Sequence, residues 1–193
     1  LVVEGIILAA GFSSRAGTFK MALDFKGKSV IENCIEAMYE YCSQVFVVSG
    51  YKDYIIEDIL KSKYNKLTIV KNPNYENGMF SSIREGVRHI TGDKFFLTPG
   101  DYPIINKNTY RELLKQQGDI IIPCCNGKRG HPILINSLYK NEIINKREYR
   151  TLRDLINEKG FDTMDVNDYG VLNDIDTMED FQRISSGKLW REG

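Results

Sequence analysis

Two rhythms of apolar positions alternate along the chain. Val2 to Ala10 is a continuous apolar stretch interrupted only by Glu4 and Gly5, and it ends at Gly11. A run of that length reads as a buried parallel strand. Ile31, Cys34, Ile35, Met38 and Cys42 then recur at helical spacing. Val45 to Val48 is a second strand, Ile55, Ile56, Ile59 and Leu60 mark a second helix, and Leu67 to Val70 is a short strand. Ser82-Ile-Arg-Glu85 has the form of a capping box, which predicts a helix opening there and burying Ile83, Val87 and Ile90. Phe95 to Thr98 is another strand, stopped by Pro99-Gly100. Beyond residue 100 the rhythm loosens. Tyr110, Leu113 and Leu114 suggest a helix, and Ile120–Pro123 and Ile133–Ile135 read as strands. Thr151-Leu-Arg-Asp154 opens a short helix with Leu155 and Ile156. Asp162 to Val166 is a strand, and Thr177-Met-Glu-Asp180 starts a last helix bearing Phe181 and Ile184.

Strands that alternate with helices in this way predict an α/β fold with three layers, αβα, around a mostly parallel sheet. No repeat, low-complexity tract or linker breaks the pattern, so residues 1–193 are expected to form one domain. A chain this long buries roughly 70% of the surface it would expose unfolded, enough for a core without staples.

Composition narrows the function classes. The 193 residues are 42% hydrophobic, too many for disorder, and carry 26 basic and 26 acidic side chains. That balance leaves no broad positive field for duplex nucleic acid. The tyrosines scatter and form no stacking platform for single strands. No apolar run approaches the roughly 18 residues of a membrane span, and Leu1-Val2-Val3 reads as a strand without the basic flank of a signal peptide. Cys34, Cys42, Cys124 and Cys125 make no Cys-x-x-Cys pair, so buried free thiols in a reducing compartment are expected. A cytoplasmic protein follows from these points.

Ligands of open α/β sheets bind at the carboxyl ends of the strands. The first strand is followed by Leu8-Ala9-Ala10-Gly11, then Arg15 and Lys20. Small residues let the backbone approach a ligand, and free N–H groups in such a loop can hold phosphate oxygens. Arg15 and Lys20 would add full positive charge to the same anion. The pattern is neither Gly-x-Gly-x-x-Gly nor a Walker loop, and an ordinary strand-to-helix turn is an equal reading of it. Asp101 sits just past a strand end, where it is either a turn former before Pro103 or a ligand for a hard cation. His131 lies on a loop beside Arg129, whereas His89 falls in a helix.

Six segments together resemble the MobA-like nucleotidyltransferases, and most closely their molybdenum cofactor cytidylyltransferase branch. They are Leu8-Ala-Ala-Gly-Phe-Ser-Ser-Arg-Ala-Gly17 with Lys20; Gly78-Met-Phe-Ser-Ser-Ile-Arg84; Pro99-Gly-Asp-Tyr-Pro103; Arg129-Gly-His-Pro132; Leu152-Arg-Asp-Leu155; and Asn173-Asp-Ile-Asp-Thr-Met-Glu-Asp180. They occur in the family's order and span almost the whole chain. Ala16 and Met178 depart from the family's usual Met and Pro, and neither change removes a charged group. Met21-Ala22 replaces the usual Leu-Leu after the lysine, and Thr151 replaces the glycine before Leu152-Arg153.

The resemblance implies a Rossmann-like αβα nucleotidyltransferase fold and transfer of CMP from CTP to a phosphorylated acceptor, with Mg²⁺ and release of pyrophosphate. It casts Arg15 and Lys20 as catalytic cations. Leu8, Ala9, Ala10, Gly11, Asn77, Gly78 and Ser82 would bind the nucleotide, although capping is an equal role for Ser82. Asp101 and Asp176 would hold the metal, Asp176 being preferred to Asp174 as the nearer to the last helix. His131 and Arg153 would face the acceptor. The paralogous guanylyltransferases read Leu-Ala-Gly-Gly where this chain has Leu8-Ala9-Ala10-Gly11, and the Ala10 methyl narrows the space in favour of cytosine. The implied acceptor is the pterin-bound molybdenum cofactor, with a molybdenum hydroxylase as downstream partner. Alternatives are the same chemistry on a sugar phosphate or other phosphorylated alcohol, and a non-catalytic cofactor chaperone, which would need no metal site.

Overall fold

The computed structural model describes residues 1–11 and 19–189. In chain order its elements are β1 (Val3–Ala9), β2 (Asp24–Phe25), β3 (Lys28–Ser29), α1 (Val30–Met38), β4 (Gln44–Ser49), α2 (Asp53–Leu60), β5 (Leu67–Lys71), α3 (Met79–Arg88), β6 (Lys94–Pro99), α4 (Lys107–Leu113), β7 (Ile120–Cys125), β8 (Lys128–Arg129), β9 (Ile133–Asn136), α5 (Lys140–Asn145), α6 (Leu152–Lys159), β10 (Asp162–Asp165) and α7 (Met178–Ser185). The main sheet runs β10-β7-β9-β6-β1-β4-β5, with β8 appended to β7. β1 pairs parallel with both β4 and β6, β4 with β5, and β10 with β7. β9 turns the order round, lying antiparallel to β6 and β7, and β8 is also antiparallel to β7.

Side-chain alternation along the strands divides the core into two layers. Ile7, Ala9, Val45, Val47 and Phe96 face α1, α2 and α4, meeting Ile31, Ile35, Ile56, Leu60 and Tyr110. Ile6, Leu8, Phe46, Val48 and Leu97 face the other way, against Ile83 and Val87 of α3, Ile143 of α5 and Leu155 of α6. Each of the buried Val, Leu, Ile and Phe side chains among these is worth about 1.5–3 kcal/mol relative to exposure. The expected three-layer αβα arrangement is therefore the one found. Glu4, the acidic interruption in the first run, is buried but satisfied: its carboxylate accepts from the backbone N–H groups of Thr91 (2.6 Å) and Gly92 (2.8 Å). It fastens the turn that leads into β6.

Capping boxes open α6 at Thr151 and α7 at Thr177, as the sequence predicts. A third, Ser29 with Glu32, opens α1. The expected helix start at Ser82 is corrected. α3 begins three residues earlier, at Met79, with Gly78 as its cap at φ 89°, a left-handed conformation that glycine adopts without a Cβ penalty. Ser82 lies inside the helix and accepts a 3.0 Å hydrogen bond from Asn72 Nδ2. Its capping role is excluded by that position. All four cysteines are buried and free. No helix among the described residues is long and apolar enough to cross a membrane.

Candidate active site

Adjacent strands β1 and β6 end side by side, and their exits frame a cavity of about 350 Å³. Ala10 and Gly11 leave β1 at its wall, and Pro99 and Asp101 leave β6. Ile175 N–H donates to the Asp101 carbonyl at 2.9 Å, which pins the segment before α7 onto this turn. The Thr177–Asp180 capping box then fixes where α7 starts, so Asp176 is held at the cavity one residue before the helix cap. Lys20 enters from a single 3-10 turn, Lys20–Ala22, and is itself buried.

Lys20 Nζ donates to Asp101 Oδ2 at 2.6 Å and to Asp176 Oδ1 at 3.4 Å. Residues 81 and 156 positions apart in the chain thus converge on one ammonium. Burial pushes the Asp101 carboxyl above the usual carboxylate range, against the pull of the Lys20 ammonium. Asp174 is pushed up as well, by burial and then by the charges of Asp101 and Asp176. Carboxylate oxygens of Asp101, Asp174 and Asp176 all lie within 4.8 Å of one another. Asp101 Oδ1 is buried and makes no hydrogen bond. An acceptor oxygen left without a donor beside two further carboxylates suits a hard divalent cation, which takes oxygen ligands at about 2.0–2.1 Å in the case of Mg²⁺. The donor set therefore fits the expected metal, and Asp174 joins the two aspartates anticipated from sequence.

Of the expected site residues, Leu8, Ala10, Gly11, Lys20, Gly78, Ser82, Asp101 and Asp176 line this first cavity. Ala9 does not: its side chain is fully buried in the core with Ile7 and Val47, so only its backbone faces the turn. Arg15 lies outside the described residues. Asn77, His131 and Arg153 line a second, larger cavity of about 720 Å³, which shares Leu8, Gly78, Met79 and Pro99 with the first. Its floor is apolar, with Phe80, Ile83, Leu97, Ile122 and Ile133, and three arginines, Arg129, Arg150 and Arg153, line it too. The His131 ring packs edge-on against Tyr102 at 5.0 Å. Burial pushes its pKa down to about 4, and Nδ1 is buried without a partner.

The family model of the MobA-like NTP transferase domain matches residues 5–163, a stretch that includes the small-residue turn, Lys20 and Asp101. The chain belongs to that family. This NTP transferase is 29% identical over 180 residues to the molybdenum cofactor cytidylyltransferase of Escherichia coli (strain K12), covering 93% of each chain. It is 30% identical over 158 residues to a probable molybdenum cofactor guanylyltransferase of Bacillus anthracis, covering 78% of this chain and 74% of that one. Among solved structures, a nucleotidyl transferase from Methanothermobacter superposes with a TM-score of 0.83 at 19% identity over 97% of both chains. That likeness bears on the fold alone.

Sequence reasoning missed Tyr75 and Glu76 of the transferase's first cavity and Arg150 of its second. Tyr75 and Glu76 sit on a short 3-10 turn, Tyr75–Asn77, whose residues show no period. Arg150 stands three residues before Arg153, a spacing that carries no chemistry by itself.

Proposed function

We propose that this chain moves a cytidylyl group from CTP to the phosphate of a pterin acceptor, the pterin-bound molybdenum cofactor, using Mg²⁺ and releasing pyrophosphate. The observation that carries the reading is the convergence of Lys20, Asp101 and Asp176 at one end of a cavity that opens on the Ala10-Gly11 turn. Nucleotidyl transfer attacks an α-phosphate while pyrophosphate leaves, so the site has to hold a triphosphate, spread its charge and align the attacker. Asp101 and Asp176, with Asp174 beside them, would hold the divalent cation, which neutralises phosphate oxygens when bound. Lys20 brings a fixed ammonium to the same end, and Arg15 is assigned the same task. An acceptor phosphate is already anionic, which explains why no general base is needed. The acceptor is assigned to the second cavity. His131 contributes a neutral ring there, Arg153 and its two companions attract the phosphate, and the apolar floor accepts a ring system.

Cytosine is favoured over guanine by two points. Ala10 lines the cavity where guanylyltransferases carry glycine. The Escherichia coli cytidylyltransferase also matches over 93% of both chains, against about three quarters for the Bacillus anthracis guanylyltransferase. The test is a screen of ATP, CTP, GTP and UTP, each with Mg²⁺, for thermal stabilisation. A ligand that binds only the native state raises its stability by mass action. CTP should raise Tm most, and a larger shift with GTP would overturn the cytidylyl assignment.

A further inference from the structure

Reading the first cavity as the nucleotide pocket, on which this inference rests, gives its two ends different tasks. Lys20, Asp101 and Asp176 form the triphosphate end. Tyr75 and Glu76 line the cavity from a different segment and are left for the nucleobase. What holds Tyr75 there is a residue that does not itself line the cavity. Gly50 follows β4, next to Ala10 at the end of β1. A Cβ built on Gly50 would stand 2.6 Å from Tyr75 Cβ, 2.8 Å from Tyr75 Cγ and 3.0 Å from Ala10 Cβ. Real Cβ atoms do not approach other carbons that closely.

Gly50 is not among the glycines at positive φ, so its backbone does not demand glycine. The close approach demands it. No rotamer of Tyr75 relieves the contact, because the position of its Cβ is fixed by its own backbone. The 3-10 turn that carries Tyr75 is also tied back to β4. Asn72 N–H donates to the Ser49 carbonyl at 2.8 Å, Asn74 N–H to Asn72 Oδ1 at 2.9 Å, and Gly78 N–H to the Tyr75 carbonyl at 3.2 Å. A methyl at position 50 would therefore push the whole turn outward from Ala10.

We propose that Gly50 is a positioning residue for nucleotide recognition. With Ala10 it forms the seat on which Tyr75 rests, and the height of that seat sets where Tyr75 closes the base end of the pocket. Ala10 then acts on nucleotide choice partly through Tyr75, and not only by its own contact with the base. Aromatic packing against a nucleobase depends on this placement, since the ring has to meet the face of the base.

The test measures Kd for CTP with Mg²⁺ by calorimetry, Kd for Mn²⁺ alone by electron paramagnetic resonance, and Tm, in wild type and four variants. Gly50→Ala should raise the CTP Kd at least tenfold and leave the Mn²⁺ Kd within twofold, because the three aspartates come from other segments than the turn. Tyr75→Leu, which leaves Gly50 untouched, should weaken CTP to a similar degree; it decides the matter alone should Gly50→Ala not fold. Gly50→Ala/Tyr75→Gly removes the colliding Cβ and should recover the Tm of Tyr75→Gly without recovering CTP affinity. Unchanged CTP binding in folded Gly50→Ala or in Tyr75→Leu overturns the proposal and leaves the pocket reading standing. Parallel loss of CTP and Mn²⁺ binding in Gly50→Ala marks a general structural role and overturns it too. A wild type that binds no nucleotide overturns both readings together. Should the wild type prefer GTP, the same variants measured with GTP support or overturn the proposal by the same thresholds.

Discussion

Replacing Asp101 by asparagine removes one charge and almost no volume from the centre of the proposed metal site. Two opposing effects act on stability. The carboxylate is buried and its ionisation is opposed by that burial, so the neutral amide relieves a desolvation cost. The 2.6 Å charge pair with Lys20 is lost, but the amide oxygen can still accept from Nζ, and Asp176 remains 3.4 Å away. Removing one partner of a buried pair outright costs about 3–5 kcal/mol. With a neutral acceptor in place and a second carboxylate at hand, the net change should stay within about 1–2 kcal/mol. For a chain of this size that is a Tm shift of roughly 2–8 °C. Activity should behave differently. Losing a metal ligand at the charge-bearing end forfeits several kcal/mol of transition-state stabilisation. A loss of about 3–4 kcal/mol corresponds to a fall in kcat of roughly 10²- to 10³-fold. The assay is coupled pyrophosphate release at saturating CTP and Mg²⁺, with Tm measured on the same preparation. Turnover within threefold of wild type in folded Asp101→Asn would refute the metal assignment.

Lys20→Ala should lower kcat more than it raises KM for CTP, because its proposed work is on charge that develops as pyrophosphate departs; a change in KM alone would make it a ground-state clamp. It should also cost about 3 kcal/mol of stability, since Asp101 loses its 2.6 Å partner. Ala10→Gly should narrow the ratio of kcat/KM for CTP over GTP without reversing it, because one methyl of crowding is worth only about 1–3 kcal/mol and guanine's polar edge would still lack partners; an unchanged ratio removes Ala10 as a determinant. His131 titrates near 4 in the fold and near 6.5 when unfolded, so its contribution is unchanged above pH 6.5. As pH falls from 6.5 to 4 the unfolded chain takes up a proton that the fold refuses, and stability drops by about 3 kcal/mol. Urea unfolding of His131→Gln across that range should lose this share of the acid slope; an unaltered slope would contradict the buried neutral ring.

Strands and the long helices were legible because their apolar residues face two packed layers at fixed periods. Ile133–Asn136 shows where an apolar run stops informing: its composition reveals a strand but nothing of its antiparallel direction, which is set by pairing with β6 and β7. The β2–β3 hairpin is silent in the pattern because its strands have two residues each, turned by Lys26 and Gly27 at positive φ. α5 is silent because only Ile143 of its six residues is buried. At Ser82 the Ser-x-x-Glu pattern matched a helix interior; Glu85 instead pairs with Arg88 at 3.5 Å, along the helix. In the site, short motifs led to Lys20, Asp101 and Asp176. Their meeting depends on long-range hydrogen bonds such as Ile175 to Asp101, which no local pattern encodes. Asp174 reads from sequence as a substitute for Asp176, whereas the fold gathers both with Asp101. Gly50 was invisible in the sequence, because a glycine kept for close approach looks like any turn glycine.

The central claim is transfer of a nucleotidyl group, and it is tested most directly by following the α-phosphate. The wild-type chain would be incubated with Mg²⁺, the pterin acceptor and CTP labelled at either the α- or the γ-phosphate. The account predicts that the α-label moves into the acceptor while the γ-label appears in pyrophosphate, in equal amounts and only when acceptor is present. An α-label that stays in free nucleotide while the γ-label is released as orthophosphate would contradict it.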